Sequence, residues 1–160
     1  MLAATTRAAE PRQGGDLMSE NAKVARRLWE EVIPNVDLDA VAAIVTADAV
    51  DHTVRPGERQ GADGVRDTMR FLAAAFAEQR FDVRQTIEED DRVVVHATHS
   101  GRHIGPIMGM APTNREFSYD HIHILRFANG KVVEHWGVHD FATFMQQVGA
   151  SPARPQPASA

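Results

Sequence analysis

The chain contains no cysteine. That excludes disulfides, thiolate nucleophiles and thiolate-bound zinc. It has no basic block and a formal charge of −5, so nucleic acid is not expected as a partner. No apolar run approaches the roughly 20 residues that a helix needs to cross a bilayer, so no membrane partner is expected. The first residues lack the apolar centre of a secretory signal, which makes the cytoplasm the expected location. Aromatic residues are scarce, with two tryptophans and a single tyrosine, Tyr119. Histidine is the opposite case: eight occur in 160 residues, seven of them from His96 to His139. Free imidazole titrates near pH ~6.5, so two or three in one cavity suit proton transfer at neutrality. Scattered over strand edges, the same residues would carry no chemistry.

Both ends lack a periodic apolar face. Residues 1–17 are expected to be a disordered leader, with Met18 a candidate start, and residues 150–160 a disordered tail rich in proline and alanine. Between them, 18–149 reads as a single domain.

That stretch opens with helical signals. A first helix is predicted over Glu20–Ile33, capped by Ser19, striped by Val24, Leu28 and Val32, and stopped by Pro34. A second is predicted over Leu38–Thr46 with Asp37 as its cap. A short strand at Ala49–His52 and a turn at Arg55–Glu58 follow. A third helix, Ala62–Ala77, would bury Val65, Met69, Leu72 and Phe76. The period then changes to two. Strands are predicted at 80–88, 92–103, 115–127 and 131–140, with a closing helical segment at 141–148. Asn129-Gly130 suits the two positive φ angles of a type I′ hairpin. This order predicts an α+β fold, a cone-shaped roll with a curved, mostly antiparallel sheet wrapped around about three N-terminal helices.

Along the strand at 115–127, Phe117, Tyr119, His121, His123, Leu125 and Phe127 share one face. A face apolar at its ends and polar in its middle fits the wall of a pocket. His123 and His121 are therefore candidate catalytic residues. Asp140, at the end of the last strand, is a candidate partner that would fix a tautomer and stabilise an imidazolium; the competing role is capping the helical segment that follows. Tyr119 is a candidate donor to an enolate oxygen. Trp136 is a candidate platform for a planar substrate, or a core residue. His103 shares a face with His99, opposite to His96, and joins the candidate substrate-binding set. Histidines two apart on a strand, with another on a neighbour, can hold zinc or iron. With no HExxH pattern and few nearby carboxylates, no metal is expected.

Several short pieces occur in a telling order: Asp51-His52 with Pro56-Gly57 and Gly61, then Asp91-Arg-Val-Val-Val, Gly101-Arg-His103, Gly109-Met-Ala-Pro112, His123-Ile-Leu-Arg-Phe127, Asn129-Gly130 and Val133-Glu-His-Trp-Gly-Val-His-Asp140. Together they resemble the SnoaL-like polyketide cyclases of the nuclear-transport-factor-two-like superfamily, over about residues 20–149. The resemblance implies a cone-shaped α+β barrel, a homodimer and no required cofactor. It places His52 near the pocket mouth. It implies an intramolecular aldol closure of a small, largely apolar carbonyl compound, as in the namesake cyclases, where an aspartate is the acid/base. In many relatives an Asp precedes Ile-Leu-Arg-Phe; here that residue is His123. The superfamily also includes hydrolases and dehydratases, and a non-catalytic small-molecule-binding protein on the same scaffold is the alternative of a different class.

Overall fold

The computed structural model describes residues 18–149; the leader and tail expected from the sequence lie outside the described residues. Helix α1 (Glu20–Arg27) is capped by Ser19, whose hydroxyl accepts from the Ala22 amide at 3.1 Å. It then widens into a π-helical turn at Leu28–Val32, where the Ile33 amide reaches back to the Leu28 carbonyl. Leu28, Trp29 and Val32 of this turn are all buried.

The second helix is shorter than the sequence predicts. Asp37 does cap the turn, accepting from the Ala40 amide. Helix α2 covers only Val41–Ile44, and Val45 and Thr46 already belong to β1 (Val45–Asp51). These are β-branched residues, which sit readily on a pleated surface. Helix α3 (Gly61–Ala75) likewise ends early, because Phe76 turns into β2 (Phe76–Glu89) and is buried there rather than on the helix.

Strands β3 (Arg92–His103), β4 (Glu116–Ala128) and β5 (Lys131–His139) follow, and α4 (Phe141–Val148) closes the order. The sheet runs β1-β5-β4-β3-β2. Its neighbours are antiparallel, except that β1 lies parallel to β5. The β4–β5 turn has φ of 51° at Asn129 and 74° at Gly130, the pair of positive angles expected of this dipeptide. The sheet is curved and unclosed, and α1, the π turn, α2 and α3 fill its concave side. Trp29, Met69, Phe81, Val95, Leu125 and Phe127 meet there, while Phe76, Phe117, Phe144 and Val148 form a second apolar cluster under α4.

One parallel pairing decides what β1 contributes. Its register with β5 slips between Val45 and Val50, and beyond the slip Asp51 lies opposite His135. The strand is held from the other side by Gly61, which opens α3 at φ +64°. A Cβ there would lie 2.0 Å from the Ala47 carbonyl oxygen. Gly61→Ala is therefore expected to lower stability by about 2 kcal/mol or more, from strain and collision together; the midpoint of denaturant unfolding measures it.

Candidate active site

Alternation on β4 puts Phe117, Tyr119, His121, His123, Leu125 and Phe127 on the concave face, all buried. The register then fixes the neighbours. His123 faces Gly137 and His121 faces His139 on β5. His135, Gly137 and His139 thus share the concave face with His121 and His123. On β3, Ala97 lies opposite His121 and His99 opposite Tyr119. Gly137 is needed where it stands, since a Cβ would come within 2.8 Å of His123 Nδ1.

The imidazoles touch one another in sequence. His121 Nδ1 lies 2.5 Å from His123 Nε2, His123 Nδ1 lies 2.7 Å from His135 Nε2, and His135 Nδ1 lies 3.0 Å from Asp51 Oδ1. Trp29 lies over the middle ring, stacked on His123 with centroids 4.0 Å apart. His121 and His123 are 2% and 1% exposed. At the far end His139 stacks on His121 and on Phe141, and Phe141 reaches solvent. Among the described residues, the buried Nε2 of His121, Nδ1 of His139 and indole Nε1 of Trp29 have no hydrogen-bond partner. These are unused polar atoms in an apolar wall, where each costs free energy unless something binds it.

Burial sets the protonation. It pushes His121 down to about 3, helped by the positive charge that His139 can carry. His123 is held well below its ordinary value, first by burial and then by its histidine neighbours. His139 is lowered for the same reasons. At Asp51 burial pushes upward, but the hydrogen bond and charge of His135 and two hydrogen bonds from Thr53 outweigh it, and the carboxyl sits below its ordinary value.

The other candidates lie elsewhere. Asp140 is a helix cap: its carboxylate accepts from the Thr143 amide at 3.0 Å and from the Thr143 hydroxyl at 2.6 Å. It does not meet the histidines, and the carboxylate that does is Asp51. Trp136 lies on the convex face, opposite Ile124, stacked on His52 with centroids 4.8 Å apart. His52 bonds to Glu134 on that same face. Both are on the wrong side of the sheet for the histidine row, because from Glu134 onward the even-numbered positions of β5 point outward. Tyr119 is buried on the concave face, but its hydroxyl is committed. His99 Nε2 donates to Gln79 Oε1, so His99 Nδ1 accepts from the Tyr119 hydroxyl at 3.0 Å. That proton is not free for an enolate. His103 is buried in the α4 cluster, with Nδ1 on the Thr113 hydroxyl.

Sequence reasoning passed over Trp29, Asp51, His135 and His139. Alternation across Gly137 links His135 to His139, but the pairing with Asp51 depends on a contact across 84 positions (135 − 51) that carries no local signal. His121, His123 and His139 each offer a nitrogen within 4.8 Å of the others. In the structure His121 Nδ1 is turned to His123 Nε2 as a hydrogen-bond partner, while His121 Nε2 and His139 Nδ1 have none.

Two surface clefts lie away from this row. One of about 400 Å³ is lined by Ala42, Gln60, Arg66 and Lys131 among others, and another of about 460 Å³ by Glu78, Arg80, Ser118 and Gln147 among others. His123 is expected to line a mostly apolar cavity enclosed by the three helices and the sheet; in the structure it is buried and Trp29 stacks on its ring.

An open, curved α+β roll with titratable groups on its concave face is the architecture of the nuclear-transport-factor-two-like proteins. Within that class the chain belongs to the SnoaL-like polyketide cyclase family, whose profile matches residues 23–148. It is 30% identical over 98 residues to a nogalonic acid methyl ester cyclase of Streptomyces nogalater, covering 61% of this chain and 73% of that one. It is 40% identical over 62 residues to the aklanonic acid methyl ester cyclase AcmA of Streptomyces galilaeus, covering 39% and 43%. Among solved structures, it superimposes on IdmH, a putative polyketide cyclase from Streptomyces antibioticus, with a TM-score of 0.71 at 25% identity over 82% of this chain and 99% of that one. TsrD from Streptomyces laurentii shares the fold at a TM-score of 0.76 and 23% identity, over 82% and 96%.

The buried neutral imidazoles give a stability prediction. His99 and His121 are held at about 3, in both cases chiefly by burial, against ~6.5 in the unfolded chain. Below ~6.5 the unfolded state binds protons that the folded state does not. Stability is therefore full above pH ~7 and falls as pH drops toward 3. At pH 5 each of the two accounts for a loss on the order of 2 kcal/mol. Urea unfolding at pH 7 and pH 5 tests this; equal midpoints would contradict it.

Proposed function

We propose that this chain is a cytoplasmic cyclase that works by acid/base chemistry of its own side chains on a small, largely apolar carbonyl compound. The observation that carries the reading is the unpartnered Nε2 of His121, a buried proton acceptor at the end of a hydrogen-bonded imidazole row. A neutral imidazole in apolar surroundings can take a proton from the carbon next to a carbonyl, and the enolate formed can attack a second carbonyl in the same molecule. The named relatives support the methyl ester of an aromatic polyketide acid, of the nogalonic or aklanonic type, as the substrate class. A binding protein would have no use for a row of hydrogen-bonded bases, so the geometry favours the enzyme over the binder.

The test is turnover of such a methyl ester, followed by loss of substrate and appearance of the ring-closed product. His123→Ala is expected to cut turnover by about 10²–10⁴-fold with the fold intact. Full activity in that variant would remove the row from the mechanism.

The homodimer is proposed through the convex face. Ile122, Ile124 and Val138 are exposed there, and the last is 72% exposed. Ile122 lies directly opposite Val138 across the β4–β5 ladder, so the three form one apolar patch. Sedimentation is expected to give a dimer, and Ile122→Asp a monomer; a monomeric wild-type chain at tens of micromolar (order of magnitude) would count against it.

A further inference from the structure

We infer that Asp51, His135, His123 and His121 form one proton relay, in which His121 Nε2 meets the substrate and His135 beside Asp51 holds the charge. The inference rests on the cyclase reading for its substrate, but its geometry stands independently.

The direction of every hydrogen bond follows from one fact: a carboxylate only accepts. Asp51 Oδ1 therefore requires the proton of His135 to sit on Nδ1. In the neutral ring His135 Nε2 is then bare, so it accepts from His123 Nδ1–H. His123 Nε2 is bare in turn and accepts from His121 Nδ1–H. What remains is a bare lone pair on His121 Nε2, buried and without a partner. Three rings are fixed in one tautomer by one distant anion.

The reaction step balances along this row. The C–H bond beside the substrate carbonyl breaks, its electron pair forms the enolate, and its proton bonds to His121 Nε2. His121 passes its Nδ1 proton to His123 Nε2, and His123 passes its own to His135 Nε2. The imidazolium formed is His135, 3.0 Å from the Asp51 carboxylate. The enolate carbon then bonds to the second carbonyl carbon. The resulting alkoxide takes a proton back from His121 Nε2 as the row runs in reverse. No net proton, oxidant or reductant is needed.

The surroundings make charge unwelcome at the near end and welcome at the far end. The groups facing the row from other elements are Asp51 on β1, Phe81 on β2, His99 on β3, Tyr119 on β4, His139 on β5 and uncharged Trp29 from the π turn. Asp120 and His96 act on His121 from the convex face. Asp51 is the anion that touches the row, and it touches His135. Asp51 and His135 are thus positioning residues, and His121 is the catalytic one.

Nitrogen-15 spectra of histidine-labelled full-length protein at pH 7 test the tautomers without any substrate. His121, His123 and His135 are all expected as Nδ1–H forms. An Nε2–H form at His121 or His123 would overturn the relay, and so would nitrogen shifts showing a metal bound to His121, His123 and His139 in the protein as isolated. Asp51→Asn should lower kcat by about 10²–10³-fold with KM little changed. Its acidic limb in the pH profile of kcat/KM should move to lower pH by about one unit or more, because the imidazolium loses its anion. An Asp51→Asn enzyme with the wild-type pH profile would also overturn it. Failure of the wild type to close any such substrate, with the three tautomers as stated, would instead refute the cyclase reading alone.

Discussion

The imidazoles of His121 and His123 are packed too tightly to be charged, and the rest of the site answers to that constraint. His121 and His123 lie under Trp29 and beside Phe81, with almost no water. A cation there would lose its hydration and gain little in exchange. Neutral rings must hydrogen-bond with one donor and one acceptor nitrogen each, so a row of them has a direction. Asp51 sets that direction from the edge of the sheet. The π turn that presents Trp29, the missing side chain at Gly137 and the parallel docking of β1 all serve to keep this row closed and in register.

Where the resemblance implies an acid/base aspartate, this chain carries His123. Exchanging a carboxylate for an imidazole at one buried position would leave an isolated base that cannot keep a proton. In this chain a carboxylate, Asp51, is joined to His123 through one ring, His135. A carboxylate thus ends the imidazole row at His135 rather than standing beside His123.

Much of this was legible in the sequence, for specific reasons. The concave face of β4 could be read off directly, because period two is unambiguous over eleven residues and Asn129-Gly130 fixes the turn. The element order gave the roll. Boundaries failed at Val45 and Phe76, where apolar residues at the end of a helix fit equally well at the start of a strand. Asp140 was misplaced because an aspartate before a helix looks the same whether it caps or catalyses, and here Thr143 claims both of its oxygens. Trp136 is a candidate substrate platform or core residue and His52 a candidate at the pocket mouth, although parity alone sets Trp136 opposite to His135 and His139. Asp51 could not be found locally: its role depends on a parallel pairing and a register slip, and no short window contains both partners.

The parallel strand β1 lies at the edge of the sheet, joined by its ladder to β5 alone. Edge strands open more readily than central ones, since a single ladder joins them to the sheet; here the start of α3 holds the other side. In a chain whose β1 has come loose, His135 loses its anion while the rings of β4 and β5 stay in place. Such a chain would lose Val45 and Ala49 from its core as well as the anion beside His135. On the relay proposed above, the base would be complete only when the seven residues Val45–Asp51 are docked, so a half-assembled molecule would form no enolate.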